Sequence, residues 1–200
     1  MSLNQALHHA KQILREQGAV FRTTEAIRAG VHPRMLYRLK DKGVIKQLSR
    51  GLYTFKDDAA NPDLIIVASR VPKAVVCLVS SLAFHELTTQ VPSSISIAME
   101  KGSESPRLEY PPITLHRFSN DAFREGQERH NVDGVFVNVY SPEKTLADCF
   151  KFRNKIGMDV VLEGLRFYKA REPWKIDDLL RFARICRVES VMRPYLEATL

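Results

Sequence analysis

The chain has 200 residues, room for one or two domains, and its 44% hydrophobic and 26% charged content is that of a soluble protein able to bury a core. No apolar run approaches the roughly 18 residues of a membrane span, and the opening "MSLNQALHHAKQ" lacks the basic and apolar regions of a secretory signal, so a cytoplasmic protein is expected. The net charge is +7 and unevenly placed: Met1 to Ala60 carries 11 Lys+Arg against 5 Asp+Glu, and the rest carries 19 against 18.

A basic first domain before a neutral second one points to a polyanionic partner at the N-terminus, with a solvated cationic face as the alternative. The cysteines Cys77, Cys149 and Cys186 are odd in number and far apart. They have neither metal-ligand nor disulfide spacing and are expected as buried, reduced thiols.

In chain order, Leu3, Ala6, Leu7, Ala10, Ile13 and Leu14 recur at helical spacing, so Leu3 to Glu16 is an amphipathic helix stopped by Gly18. Thr23 or Thr24 caps a short second helix, with Glu25 in its first turn, Ala26 and Ile27 facing inward and Gly30 closing it. A third helix starts at Pro33, whose missing N–H has no partner there anyway, and ends at Gly43. Met35, Leu36 and Leu39 form its apolar stripe; Arg34, Tyr37, Arg38 and Asp41 lie opposite, with Lys42 beside them. Two short helices across the tight turn "GVH", the second basic on its free face, are the helix-turn-helix pattern.

"VIKQL" and "GLYTF" then form two strands about Ser49, Arg50 and Gly51, a ribbon whose Leu48 and Leu52, with Tyr53 or Phe55, can pack on the helices and which leaves Lys46 and Arg50 outside. The polar stretch "KDDAANPD", Lys56 to Asp63, marks the domain boundary.

Beyond it, Leu64 to Val71 has helical period, Ala74 to Val79 is a β-branched strand candidate, and Ser80 to Leu87 is a helix capped by Ser80. Ser94 to Met99, Ile113 to Phe118 and Val135 to Tyr140 alternate as strands do. Ser141, Pro142 and Glu143 open a helix with a cap, a first-turn proline and a first-turn acid. "MDVVLEGLRFYK", "KIDDLLRFARICRV" and a segment near Glu189 to Thr199 complete a helical tail. The expected fold is α+β: an N-terminal winged helix-turn-helix over 1–58, then a larger α+β domain over 63–200 with a mixed sheet and C-terminal helices.

Three segments in this order carry a resemblance: the "RGLY" ribbon at Arg50 to Tyr53, the Ser-x-Leu-x-x-His block of Ser80, Leu82 and His85, and "SPEKTLADCF" at Ser141 to Phe150. With their spacing, over about residues 5 to 170, the chain resembles the AbiEi-type antitoxins and transcriptional regulators of abortive-infection (viral defence) loci. The resemblance implies a winged helix that represses its own promoter through repeated operator sites. It also implies a C-terminal domain tied to neutralising a nucleotidyltransferase-class toxin, as in a type IV AbiE-like toxin-antitoxin pair. The alternative is a protein-interaction module that neutralises such a toxin without binding DNA.

The expected double-stranded DNA contacts are Arg22, Thr23, Thr24, His32, Arg34, Tyr37, Arg38, Lys42, Lys46 and Arg50. Arg34, Tyr37, Arg38 and Lys42 would meet the major groove, though a solvated face is the bland reading of the cations and a half-buried ring that of Tyr37. Lys46 and Arg50 would meet backbone phosphates, with a narrow minor groove as the other place for Arg50. Thr23, Thr24 and His32 stand near helix N-termini and serve either phosphate binding or capping.

No enzyme, metal or cofactor is expected. "FHEL" at Phe84 to Leu87 lacks the second His of a zinc-protease helix, so His85 is expected in a structural polar network. Ser80 and Ser81 lack a nucleophile elbow. Near Gly102-Ser103, Glu100, Lys101, Glu104 and Glu109 are the local candidates for metal-assisted chemistry and supply no close acid pair.

Overall fold

The computed structural model describes residues 3–56, 61–171 and 173–198; residues 57–60, the middle of the expected domain boundary, lie outside them. Two compact units emerge, Met1–Pro72 with Asn131–Val137, and Lys73–His130 with Asn138–Leu200.

Unit 1 runs α1 (Leu3–Glu16), β1 (Val20–Arg22), α2 (Thr23–Arg28), α3 (Pro33–Asp41), β2 (Ile45–Ser49), β3 (Leu52–Phe55) and α4 (Pro62–Arg70). The helical periodicity of α1 buries Leu7, Ala10 and Leu14, and α3 buries Leu36 and Leu39 against them. In α2 only Ala26 is buried; Ile27, expected inward, is 47% exposed. Successive helical residues point about 100° apart, and a six-residue helix buries one narrow stripe.

The ribbon has a third strand. The sheet order is β1-β3-β2, antiparallel throughout, with Phe21 opposite Tyr53 and Gln47 opposite Tyr53 on the other side. As the central strand, β3 is buried at every position. Tyr53 and Phe55 face the helices, where Phe21 stacks on Tyr53 with ring centroids 6.2 Å apart. Leu52 faces the other way and packs with Val20 and with Ile65 of α4. The sequence placed Leu52 on the helices and residues 64–71 in the second domain; alternation along β3 instead sends Leu52 to α4, which therefore packs within unit 1. Gly51 supports the turn between β2 and β3 with a φ of +73°.

Unit 2 carries β4 (Val75–Val76), α5 (Leu78–Phe84), β5 (Ile95–Glu100), β6 (Ile113–Phe118), α6 (Asp121–Arg124), β7 (Gln127–Val132), β8 (Val135–Tyr140), α7 (Pro142–Lys151), α8 (Arg153–Ile156), α9 (Met158–Lys169), α10 (Ile176–Cys186) and α11 (Glu189–Glu197). Residues 131–137, the end of β7, the turn after it and the start of β8, group with unit 1. The sheet order is β6-β5-β4-β8-β7, with β4 antiparallel to β5 and the β5–β6 and β4–β8 pairs parallel. The fold is thus α+β with a mixed sheet, as the sequence indicates. Among the described residues no helix is long and apolar enough to cross a membrane.

The strand expected over Ala74 to Val79 is limited to Val75–Val76, and Cys77 rather than Ser80 stands at the N-cap of α5. Ser80 is one turn inside that helix, where its hydroxyl accepts from Ser96 N at 2.8 Å and so fixes β5. The "SPEKTLADCF" helix begins as expected, with Ser141 Oγ accepting from Lys144 N at 3.2 Å.

Two of the three resemblance segments meet at one atom. The carbonyl of Tyr140, at the end of β8, accepts from His85 Nε2 at 2.7 Å, Ser81 Oγ at 3.2 Å and Thr145 Oγ1 at 3.2 Å. Every residue from Glu143 to Phe150 is buried. These segments hold the centre of unit 2 together, and their order in sequence reflects α5, β8 and α7 meeting there.

Candidate nucleic-acid interface

The buried stripe of α3 fixes what the helix presents to solvent. With Leu36 and Leu39 inside, Arg34, Tyr37, Arg38 and Asp41 fall on the opposite face; all four are exposed, Tyr37 by 61%. Tyr37 is therefore on the surface, not half-buried against the ribbon. Lys42 is exposed at the C-cap.

Helix α3 is tied to the wing by its last turn. Lys40 Nζ donates to Gln47 Oε1 of β2 at 2.8 Å, so the exposed face of α3 adjoins the outer edge of the sheet. Along that edge runs a shallow groove of about 690 Å³ whose lining includes Lys40, Lys46, Arg50 and Lys56. Lys40 and Lys56 were not singled out in the sequence. Lys40 sits on the flank of α3, off the i, i+3, i+4 row of the free face, and only the wing behind it gives it a site. Lys56 follows the last strand residue and is placed by the hairpin register.

The smaller polar candidates are engaged within the fold. Thr23 is half-buried, and both its backbone N and its Oγ1 donate to the Gly51 carbonyl, at 2.9 and 3.4 Å, clasping the wing turn. His32 caps α3: its Nδ1 accepts from Arg34 N at 3.2 Å. The neutral ring then carries its proton on Nε2, a donor directed away from the cap. Arg22 ends β1 with an exposed side chain, while its backbone N donates to Glu25 Oε2 at 2.6 Å. Thr24 is exposed on the first turn of α2.

The electrostatics divide along the chain. Among the described residues every side-chain ion pair involves residues from Glu86 onward: Arg171–Glu86, Arg124–Glu100 and Arg181–Glu125 are examples. Arg22, Arg34, Arg38, Lys40, Lys42, Lys46, Arg50 and Lys56 have no anionic partner among the described residues, and Asp41 has no cationic one. Lysine on a free strand edge also discourages strand addition, which accounts for Lys46. It does not account for the arginines of α3. Within unit 1, no three metal-ligating side chains converge among the described residues. In unit 2, Glu100 of the acidic segment is committed to Arg124 at 3.2 Å.

Residues 10–56 match the family model described as "Transcriptional regulator, AbiEi antitoxin". Over those residues the winged module is similar to the AbiEi regulators. The likeness expected from "RGLY" and the preceding basic helix is thereby established for the module that carries them. A solved structure, "Crystal structure of RV2827C protein from Mycobacterium tuberculosis", is similar over 90% of this chain and 76% of its own, with a TM-score of 0.54 and 13% sequence identity. Likeness at that identity speaks to the fold, and it extends well beyond the AbiEi-type module. No curated protein matches the chain.

Proposed function

We propose that the chain is a sequence-specific, double-stranded-DNA-binding transcriptional regulator without catalytic activity, acting in the cytoplasm as the repressor of its own promoter. The observation that carries this reading is the set of cations on α3 and along the wing edge that have no anionic partner among the described residues. A duplex supplies the counter-charge that those cations lack, and release of its condensed ions supplies most of the affinity. Arg34 and Arg38, one turn apart on the exposed face of α3, have the reach and donor geometry for guanine edges in the major groove. Lys40, Lys46, Arg50 and Lys56 line a track suited to backbone phosphates. Thr23 and His32 then act by shaping the module, one holding the wing turn and one the start of α3.

The test is fluorescence anisotropy with a duplex from the chain's own upstream region and a scrambled duplex of equal length. Arg34→Ala with Arg38→Ala should abolish most of the preference for the upstream duplex, at about 1–3 kcal/mol for each guanidinium taken away from a base edge. Unchanged discrimination would remove α3 as the reading element.

The family's description also names an antitoxin. We propose that unit 2 binds a nucleotidyltransferase-type toxin through its exposed surface, since Ser80 to Leu82 and Glu143 to Phe150 are buried in its core. Co-purification with the adjacent gene's product should survive Arg34→Glu with Arg38→Glu, which abolishes DNA binding.

A further inference from the structure

We propose that His85, Glu128 and His130 form a binding site for one divalent transition-metal ion of the zinc class, within unit 2 and independent of the DNA-binding reading. One ligand atom from each of the three side chains lies within 4.8 Å of the others. Two imidazoles and a carboxylate are a donor set suited to zinc, with the remaining coordination position open to water.

The orientation of His85 is the second observation. It stands at the C-cap of α5, and its Nε2 lies 2.7 Å from the Tyr140 carbonyl. A carbonyl only accepts, so the ring proton is on Nε2 and Nδ1 keeps its lone pair. A metal-ligating histidine is held in this way, its other nitrogen donating to a backbone carbonyl. Carbonyl, ring and cluster are all built by the meeting of α5 with the sheet.

The other two ligands come from β7. Glu128 and His130 are two apart on the strand, so their side chains share a face. His130 Nε2 and Glu128 Oε2 are 3.0 Å apart, with side chains 33% and 43% exposed. Phe84 packs edge-on against both imidazoles, at 5.3 Å from His85 and 4.9 Å from His130, which restricts both rings. An ion in this place would cross-link the polar outer strand β7 to the end of α5.

The test is calorimetric titration of the untagged full chain with Zn²⁺, alongside the melting temperature with and without Zn²⁺. The expected result is one ion per chain with a micromolar or tighter dissociation constant and a rise in melting temperature. Glu128→Gln and His130→Gln, both partly exposed and thus compatible with folding, should each weaken binding at least tenfold. The double variant should lose the thermal rise, and His8→Gln with His9→Gln should change nothing. Wild-type affinity no tighter than that of the Glu128→Gln/His130→Gln double variant, or Mg²⁺ binding as tightly as Zn²⁺, would overturn the proposal.

Discussion

Removing either partner of the Lys144–Asp148 pair should cost far more stability than an ion pair at a surface. Both side chains are inaccessible to solvent, 0% and 1% exposed, with Nζ 2.5 Å from Oδ2. The ammonium also lies 4.1 Å from the centroid of the Tyr140 ring and 5.0 Å from that of Phe118, and Asp148 Oδ1 accepts from Cys186 Sγ at 3.1 Å. Asp148→Asn keeps the shape and leaves the buried lysine without a counter-charge. The expected cost is about 3–5 kcal/mol, the range for breaking one side of a buried pair. At an m-value of about 2 kcal/mol per M, the urea midpoint falls by roughly 1.5–2.5 M. Trp174, the sole tryptophan, packs against the unit 2 core and reports the transition by fluorescence. Lys144→Met behaves differently with pH. Burial pushes the Asp148 carboxyl up, and Lys144 pulls it down. Without the lysine it rises further above its unfolded value, so the folded state binds the extra proton and the deficit shrinks as pH falls from 8 to 5. Replacing both residues, as Lys144→Met with Asp148→Leu, should restore most of the loss. If Asp148→Asn costs under about 1 kcal/mol, as an exposed pair would, or the Lys144→Met deficit is the same at pH 8 and pH 5, the reasoning fails.

Lys46→Ala with Arg50→Ala should lower the log–log salt slope of DNA binding by about 1.8, roughly 0.9 for each phosphate contact, and weaken specific and scrambled duplexes alike; a salt titration by anisotropy reads this. Burial pushes the Cys77 and Cys149 thiols well up and Cys186 up to about 12, with the Asp148 charge adding to the rise. No thiol of the native chain should therefore react with an aromatic disulfide reagent at pH 8, and all three should react in denaturant. Burial, and then Lys155, hold the His116 imidazole below its ordinary range. The unfolded chain takes up that proton first, so this contribution to stability is complete above about pH 6.5 and is lost as pH falls below it; His116→Gln should flatten the urea midpoint between pH 7 and pH 5.

The parts legible in sequence are those whose signals are local. The stripe of α1, the proline start of α3, the Ser141 cap and the Arg50-Gly51 turn each occupy a few neighbouring residues, and each forms where expected. Strand β1 has three residues, Val20–Arg22, too few for alternation to register. Strand β7 reads "QERHNV", polar up to its last residue because it lies at the end of the sheet, where charge is tolerated and protects against strand addition. Its signal was the turn. Asp133 and Gly134 take φ values of 50° and 85°, the two positive angles of a tight hairpin, and Asp-Gly is the pair that favours them. Missing β7 also hid Glu128 and His130 as neighbours of His85. The groove cations Lys40 and Lys56 escaped for a related reason: they are 16 residues apart, and only the pairing of β2 with β3 makes them line one surface.

"SPEKTLADCF" and the Ser80 to His85 block are distinctive in sequence because they place polar side chains in a buried centre, where each must find a partner. Ser81, Thr145 and His85 find the Tyr140 carbonyl, and Lys144 finds Asp148. These contacts join α5, β8 and α7 within unit 2. Unit 1 shows the converse. Its cations lie on the surface without partners among the described residues, next to an exposed helix face whose buried side is fixed by Leu36 and Leu39. The Ser80 to His85 and Ser141 to Phe150 segments therefore build unit 2, while the ribbon at Arg50 to Tyr53 belongs to the matched module of unit 1. The residues that leave charge uncompensated, at Arg34, Arg38, Lys46 and Arg50, are where a polyanion gains most by binding.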